Sequence, residues 1–305
     1  MTRQPPSVAF VLSGGASLGA IQVGMLHALF ERDLKPDVIV ATSAGAINGA
    51  FIASRPQTTE TADELATIWR GVRRGQVFPL NPLSGLLGLL GSRAHLVPDS
   101  GLRQLVAKHV ERYRLERLPV PLHVVAVDVV TGEELLLSTG PVVDAVMASS
   151  AVPAVLPPVP WGDRELIDGG VANNTPISHA ISLGAREIYV LPTGHACALE
   201  RPPGSALGMA LHALSLLTHS RLIAEIELHK ADAKLIVLPP PCPLSVAPID
   251  FGHAPALIDR AAQDTRAFLD GGGGERPPIR MRMHRHVGQE VRSRAPAAQT
   301  EHATG

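Results

Sequence analysis

Short apolar runs alternate with helix-period segments from residue 8 onward, and glycine-rich turns join them. Val8–Leu12 is a buried-strand candidate, and Leu18–Arg32 follows with Leu18, Ile21, Met25, Leu26 and Leu29 at helical spacing. Val38–Thr42 is a second strand that leads at once into a helix over Ala44–Ala53. A capping box at Thr61–Glu64 is expected early in a helix reaching Arg70, with Gly71 as its stop, and Ser100 is expected to cap one from Leu102 to about Arg112. Leu122–Val130 is β-branched and apolar, hence a buried strand, and Thr131-Gly132 turns it into Glu134–Ser138. A short helix over Pro141–Ser149 precedes the proline-rich run Pro153–Pro160, then a brief strand Glu165–Ile167 and a helix after Pro176 that stops at Gly184. Glu187–Leu191, a helix from Ala206 to about Asp232, Lys234–Leu238 and a helix over Ala254–Asp270 complete the body. Such alternation predicts an α/β fold, with a mostly parallel sheet covered on both faces.

Composition narrows the class. The chain has 305 residues, 45% of them hydrophobic and 18% charged, which is enough to bury a core. Phe, Trp and Tyr number only six, two and two, so Leu, Val, Ile and Ala must fill that core. Trp69 and Trp161 are therefore the two indoles that could anchor at a bilayer surface. A net charge of −1 argues against a uniformly basic nucleic-acid binder, and no nucleic-acid partner is expected. Cys197 and Cys242 make neither a disulfide framework nor a zinc site, so no metal is expected and the compartment reads as reducing. No run of 18 apolar residues is present, and Ser13-Gly14-Gly15 interrupts Val8–Leu12 too early for a signal-peptide core. The expected setting is cytoplasmic, with peripheral contact at a membrane. From Gly271 the sequence turns to four glycines and then to Arg- and His-rich residues without periodicity. Residues 5–270 thus read as one domain and 271–305 as a disordered tail.

Three turns carry chemistry. Ser13-Gly14-Gly15-Ala16-Ser17-Leu18-Gly19 joins a strand to a helix, where backbone N–H groups suit an anion, either a ligand phosphate or a transition-state oxyanion. A dinucleotide fingerprint fits it poorly, because Ala16 takes the place of the second glycine and Asp37 precedes rather than follows the second strand. No Lys-Ser/Thr pair completes a phosphate loop either. In Ala41-Thr42-Ser43-Ala44-Gly45 a serine stands at a strand-to-helix turn with small residues on both sides. A nucleophile elbow needs that arrangement because bulky neighbours would clash with the adjoining strand and helix. An ordinary helix N-cap would use the same serine, and Ala41 stands where the elbow pattern has its first glycine. Asp168 follows Leu166-Ile167 and precedes Gly169-Gly170, a context that frees a carboxylate at a strand end and also suits a plain Asp-Gly turn. None of the thirteen histidines sits in a glycine-framed turn; His123 is in a strand, and His179, His212 and His219 are in helices.

In this order and spacing the three turns resemble the patatin-like phospholipase family, over about Ser7 to Leu191 with weaker support to about residue 270. Ala148-Ser149-Ser150-Ala151-Val152-Pro153 is similar to the family's small-residue segment upstream of its aspartate. The resemblance implies a three-layer α/β/α fold and a Ser–Asp dyad that works without histidine, metal or cofactor on acyl esters of lipids. Ser43 would be the nucleophile, Asp168 the base, and Gly14, Gly15 and Ala16 the oxyanion hole, with Gly19, Ala41, Ala44, Gly45, Gly169 and Gly170 as supporting motif positions. The activity expected is of the phospholipase A, lysophospholipase or esterase type. The loop departs from the family at Ala16 and Leu18, where a third glycine and an Arg or Lys are usual. Losing that cation favours less anionic or more apolar substrates. A nucleotide- or phosphate-binding protein using Gly14–Gly19, or a non-catalytic lipid-binding member of the fold, are the alternatives.

Two apolar segments bear on substrate access. Leu83, Leu86, Leu87, Leu89 and Leu90 in Asn81–Gly91 read as core packing first and as a cap or membrane-touching surface second. Leu207–Leu217 reads as core helix first and acyl-pocket wall second.

Overall fold

A computed structural model describes residues 7–79, 95–110, 113–194, 202–244 and 246–275. In chain order the elements are β1 (Val8–Leu12), α1 (Gly19–Phe30), β2 (Val38–Thr42), α2 (Ala44–Ala53), α3 (Thr59–Gly71), α4 (Arg74–Val77), α5 (Ser100–Val110) and β3 (Leu122–Asp128). There follow β4 (Glu134–Leu137), α6 (Val142–Ser149), β5 (Val159–Trp161), β6 (Arg164–Asp168) and α7 (Ile177–Ser182). Then come β7 (Glu187–Leu191), α8 (Ala206–His229), β8 (Lys234–Val237) and α9 (Ala254–Asp270). The strands form one sheet in the order β5-β6-β3-β2-β1-β7-β8, with β4 also paired to β3. From β3 to β8 the pairing is parallel; β4, β5 and β6 run antiparallel at the β3 end.

Helices cover both faces, giving the three-layer α/β/α architecture. Alternate residues of a strand point to opposite faces. Phe10, Leu12, Ile39, Ala41, Val124 and Leu191 accordingly enter one core, against α1, α2, α3, α5, α6 and α9. Ala9, Val11, Val38, Val40, Ile188 and Val190 enter the other, where α7 contributes Ile177 and Ala180 and α8 contributes Leu222 and Ile226.

Several boundaries differ from the sequence expectation, each for a local reason. Helix α3 starts at Thr59 with Thr58 as N-cap, and Thr61 in its first turn donates its Oγ hydrogen to Pro56 O (2.7 Å) rather than forming a capping box. A 3₁₀ turn, Ala16–Leu18, precedes α1, whose first residue is Gly19. Strand β3 stops at Asp128, whose carboxylate accepts from the N–H groups of Val130 and Thr131 and so closes the turn. Strand β5 lies at the end of the proline-rich run; Pro160 is tolerated because β5 is the sheet's edge, paired only with β6. Beyond α9, Gly271–Glu275 form a turn and a 3₁₀ segment, and residues 276–305 lie outside the described residues, as does the leucine-rich Asn81–Gly91. Among the described residues, no helix is long and apolar enough to cross a membrane.

Candidate active site

The carboxyl ends of β1 and β2 carry the glycine loop and Ser43. The chain winds from β1 to β2 to β3 in one direction and returns to β7 on the other side, opening a crevice between the β1 and β7 loops. Ser43 stands between β2 and α2 with φ 54° and ψ −123°, a backbone conformation that an L residue holds only under about 1–3 kcal/mol of strain. A glycine allows this turn, and another allows the turn that follows Asp168. A Cβ at Gly45 would lie 2.2 Å from Leu12 O, and one at Gly169 would lie 2.3 Å from Val125 O. In both cases the obstacle is backbone, which cannot step aside.

Asp168 reaches Ser43 from an antiparallel strand. Ala126 of β3 pairs with Asp168 of β6, and Val125 with Thr42 of β2, so both residues end level with each other across β3. Ser43 Oγ donates to Asp168 Oδ2 at 2.7 Å, and Gly170 N–H donates to Asp168 Oδ1 at 2.7 Å. Burial pushes the Asp168 carboxyl up to about 6, against the opposing pull of those two donors. A hydroxyl held on a carboxylate of that basicity can pass it a proton near neutral pH. Among the described residues the acceptor for Ser43 is this carboxylate and no imidazole. Ser43 N–H is itself held by Ser149 Oγ at 2.8 Å.

The glycine loop lies directly over Ser43. A Cβ on Gly14 would come within 2.9 Å of Ser43 Cβ, and Gly19 approaches Ala44 and the Trp69 ring as closely. Gly14 N–H donates to Asn174 O at 3.2 Å, so this sequence-predicted donor is already engaged. Gly15 and Ala16 leave their N–H groups without a partner among the described residues. Ala16 takes φ 49°, the left-handed conformation that a glycine would hold without strain. Thr193 Oγ and Asn174 Nδ2 both donate to Gly14 O, at 2.6 and 3.3 Å.

Beneath the loop runs a buried polar chain that the turn motifs did not reveal. Trp69 Nε1 donates to Asn48 Oδ1 (2.8 Å), and Asn48 Nδ2 donates to Gln22 Oε1 (2.9 Å) and Gly19 O (3.0 Å). Gln22 Nε2 then donates to Ser13 O and Leu191 O at 2.8 and 2.9 Å. The one visible signal was a lone amide in each of two largely apolar helices, α1 and α2. Trp69 is buried and stacked on Phe251, which removes it as a bilayer anchor.

Two cavities meet at Ser43, Ala16 and Val152. The narrower, about 80 Å³, is almost wholly apolar and runs past Ile47, Phe51, Ile68, Val106 and Leu156. The wider, about 250 Å³, contains Asp168 and Asn174 and is walled by α8 through Leu211, His212, Leu214 and Leu222. Leu211 and Leu214 are therefore half-exposed wall of the wider cleft rather than core, and neither lines the narrow apolar cavity. No cluster of metal-ligating side chains occurs among the described residues.

A family model described as patatin-like phospholipase matches residues 10–181. Mouse patatin-like phospholipase domain-containing protein 7 is 26% identical over 190 residues, 62% of this chain and 14% of that protein. An uncharacterised NTE family protein of Mycobacterium bovis is 29% identical over 181 residues, 59% of this chain and 47% of that one. The chain thus spans less than half the length of these curated relatives. Among solved structures, VipD of Legionella pneumophila aligns over 88% of this chain and 68% of its own, at 15% identity and a TM-score of 0.44. Human GIVD cytosolic phospholipase A2, solved with methyl gamma-linolenyl fluorophosphonate, aligns over 90% and 60%, at 13% identity and a TM-score of 0.45. With the family model spanning more than half of its length, the chain belongs to the patatin-like phospholipase family.

Proposed function

We propose that the protein is a serine hydrolase that cleaves acyl ester bonds of lipids through a Ser43–Asp168 dyad, as a phospholipase A, lysophospholipase or esterase. The observation that carries this reading is the 2.7 Å hydrogen bond from Ser43 Oγ to Asp168 Oδ2, at the junction of the two cavities. Ser43 Oγ attacks the ester carbonyl carbon and its proton passes to Asp168 Oδ2. The oxyanion is received by the N–H groups of Gly15 and Ala16, each worth about 2.7–4 kcal/mol in the transition state. Gly14 brings the backbone close but spends its own N–H on Asn174. When the tetrahedral intermediate collapses, the C–O bond to the alcohol breaks and the proton on Asp168 goes to the leaving oxygen. Water then attacks the acyl-enzyme, gives its proton to Asp168, and the released Ser43 Oγ recovers it. The apolar cavity suits the acyl chain and the wider cleft the leaving alcohol. The positive end of α2 behind Ser43 favours the developing charge.

The domain carrying this activity is proposed to run over 5–270, with 271–305 as a tail. Met209 and Leu217 are exposed on α8 beside the cleft and suit brief contact with a lipid surface.

Covalent labelling by a fluorophosphonate tests the reading. Wild-type protein should label, Ser43→Ala should not, and single His→Ala changes, including His212 and His219, should leave labelling intact. One histidine variant that loses all activity while folded would replace the dyad with a triad.

A further inference from the structure

The wide cleft is nearly free of charge. Among the described residues that line it, Asp168 is the one Asp, Glu, Lys or Arg. Leu18 of the glycine loop lines it with an apolar side chain, and Val171 stands half-exposed at the rim. The polar groups offered are hydroxyls, imidazoles and amides, with Ser215, Thr218, His212 and His219 on the α8 wall. The acyl-side cavity has no Asp, Glu, Lys or Arg among its described lining residues either.

A phosphate on the leaving group would enter this cleft beside the Asp168 carboxylate with no Lys or Arg among the described lining residues to offset it. Desolvating an anion without a partner is costly, and two like charges about 10 Å apart in a partly shielded cleft repel enough for roughly a tenfold effect. A glycerol hydroxyl meets no such penalty and can exchange hydrogen bonds with the hydroxyls and amides present. We infer that the site selects acyl esters whose leaving group is an uncharged, hydroxyl-bearing alcohol, and discriminates against esters whose leaving group carries a phosphate. This rests on the hydrolase reading above and narrows its substrate class.

The test uses the full chain and a matched pair, 1-oleoylglycerol and 1-oleoylglycerol 3-phosphate, which differ only in the phosphate. Both are presented in mixed micelles of a non-ionic detergent at pH 8, where an ordinary imidazole is neutral. Oleate release should give a kcat/KM at least about tenfold higher for the uncharged ester. Val171→Lys, at the exposed rim, and Leu18→Arg, at the loop, should each narrow that ratio at least about fivefold. Val130→Lys, on an exposed turn outside the cleft lining, should leave it unchanged and so separates cleft charge from micelle binding. Equal or inverted wild-type rates overturn the inference, as does an equal narrowing by Val130→Lys. Labelling of Ser43 with release from neither lipid overturns it while sparing the hydrolase reading. An unlabelled Ser43 with release from neither sinks both.

Discussion

Ser43 and Asp168 lie 125 positions apart in sequence, yet Oγ and Oδ2 stand 2.7 Å from each other because β6 runs antiparallel beside β3 and ends level with the tip of β2. The carboxylate is buried and its ordinary pKa is raised to about 6. That single relationship has kinetic and thermodynamic consequences of opposite sign.

For catalysis the base must be ionised. The expected kcat/KM rises with pH through a midpoint near 6 and is level above pH 7, the free enzyme's profile following Asp168. Initial rates on an uncharged chromogenic ester from pH 4.5 to 8.5 check this. A midpoint that stays put in variants of a histidine, but activity that vanishes in Asp168→Asn, is the full expectation.

For stability the ionised form is the burden. A native pKa above the unfolded value means the folded state holds the proton more tightly, so stability is greatest below pH 4 and falls as pH rises from about 4 to about 6. Asp168→Asn removes that penalty while its amide can still meet Ser43 and Gly170. At pH 8 it should be inactive and more stable than wild type, by roughly 2–3 kcal/mol. Urea unfolding at pH 8 and at pH 4 measures it, and the gain should shrink at pH 4.

Ala16 holds φ 49° in the loop over the nucleophile. Ala16→Gly relieves the left-handed strain and gives back part of that gain as unfolded-chain entropy. A net stabilisation of about 0.5–1 kcal/mol, with labelling of Ser43 retained, is expected from thermal and urea denaturation.

Gln22 and Asn48 hold the loop from below. Gln22→Leu strips the donor from Ser13 O and Leu191 O and the acceptor from Asn48 Nδ2, all buried. Leaving such groups unpaired costs about 1–3 kcal/mol each. Beyond the loss of stability, kcat should fall with little change in KM, because the affected loop carries the proposed oxyanion donors and borders the acyl cavity only through Ala16. A proportional rise in KM instead would remove Gln22 from any positioning role.

The three turns were legible in the sequence because steric necessity writes itself locally. Gly45 and Gly169 face the backbone of neighbouring strands at distances no side chain survives, and Ser43 needs small neighbours on both sides. The alternation of strands and helices was legible for the same kind of reason, since each strand feeds two cores. What escaped was non-local. The carbonyl of Asn174 that occupies Gly14 N–H lies 160 residues away, and Ser149 meets Ser43 N–H across 106. Trp69 looked available for a bilayer because its partner, Asn48, is on a different helix. Edge strand β5 was hidden by Pro160, whose position on the rim of the sheet only the pairing reveals.

The antiparallel entry of β6 also governs when the chain can become reactive. The elbow, the loop and α1 are complete within the first third of the sequence, but the proton acceptor arrives only after β3 has docked and β6 has paired back along it. A nascent or partly unfolded chain thus carries an exposed serine with no base to arm it. On the proposed mechanism, chemistry against lipids would begin only with the closure of the sheet, and acylation of Ser43 would be in effect a readout of finished folding.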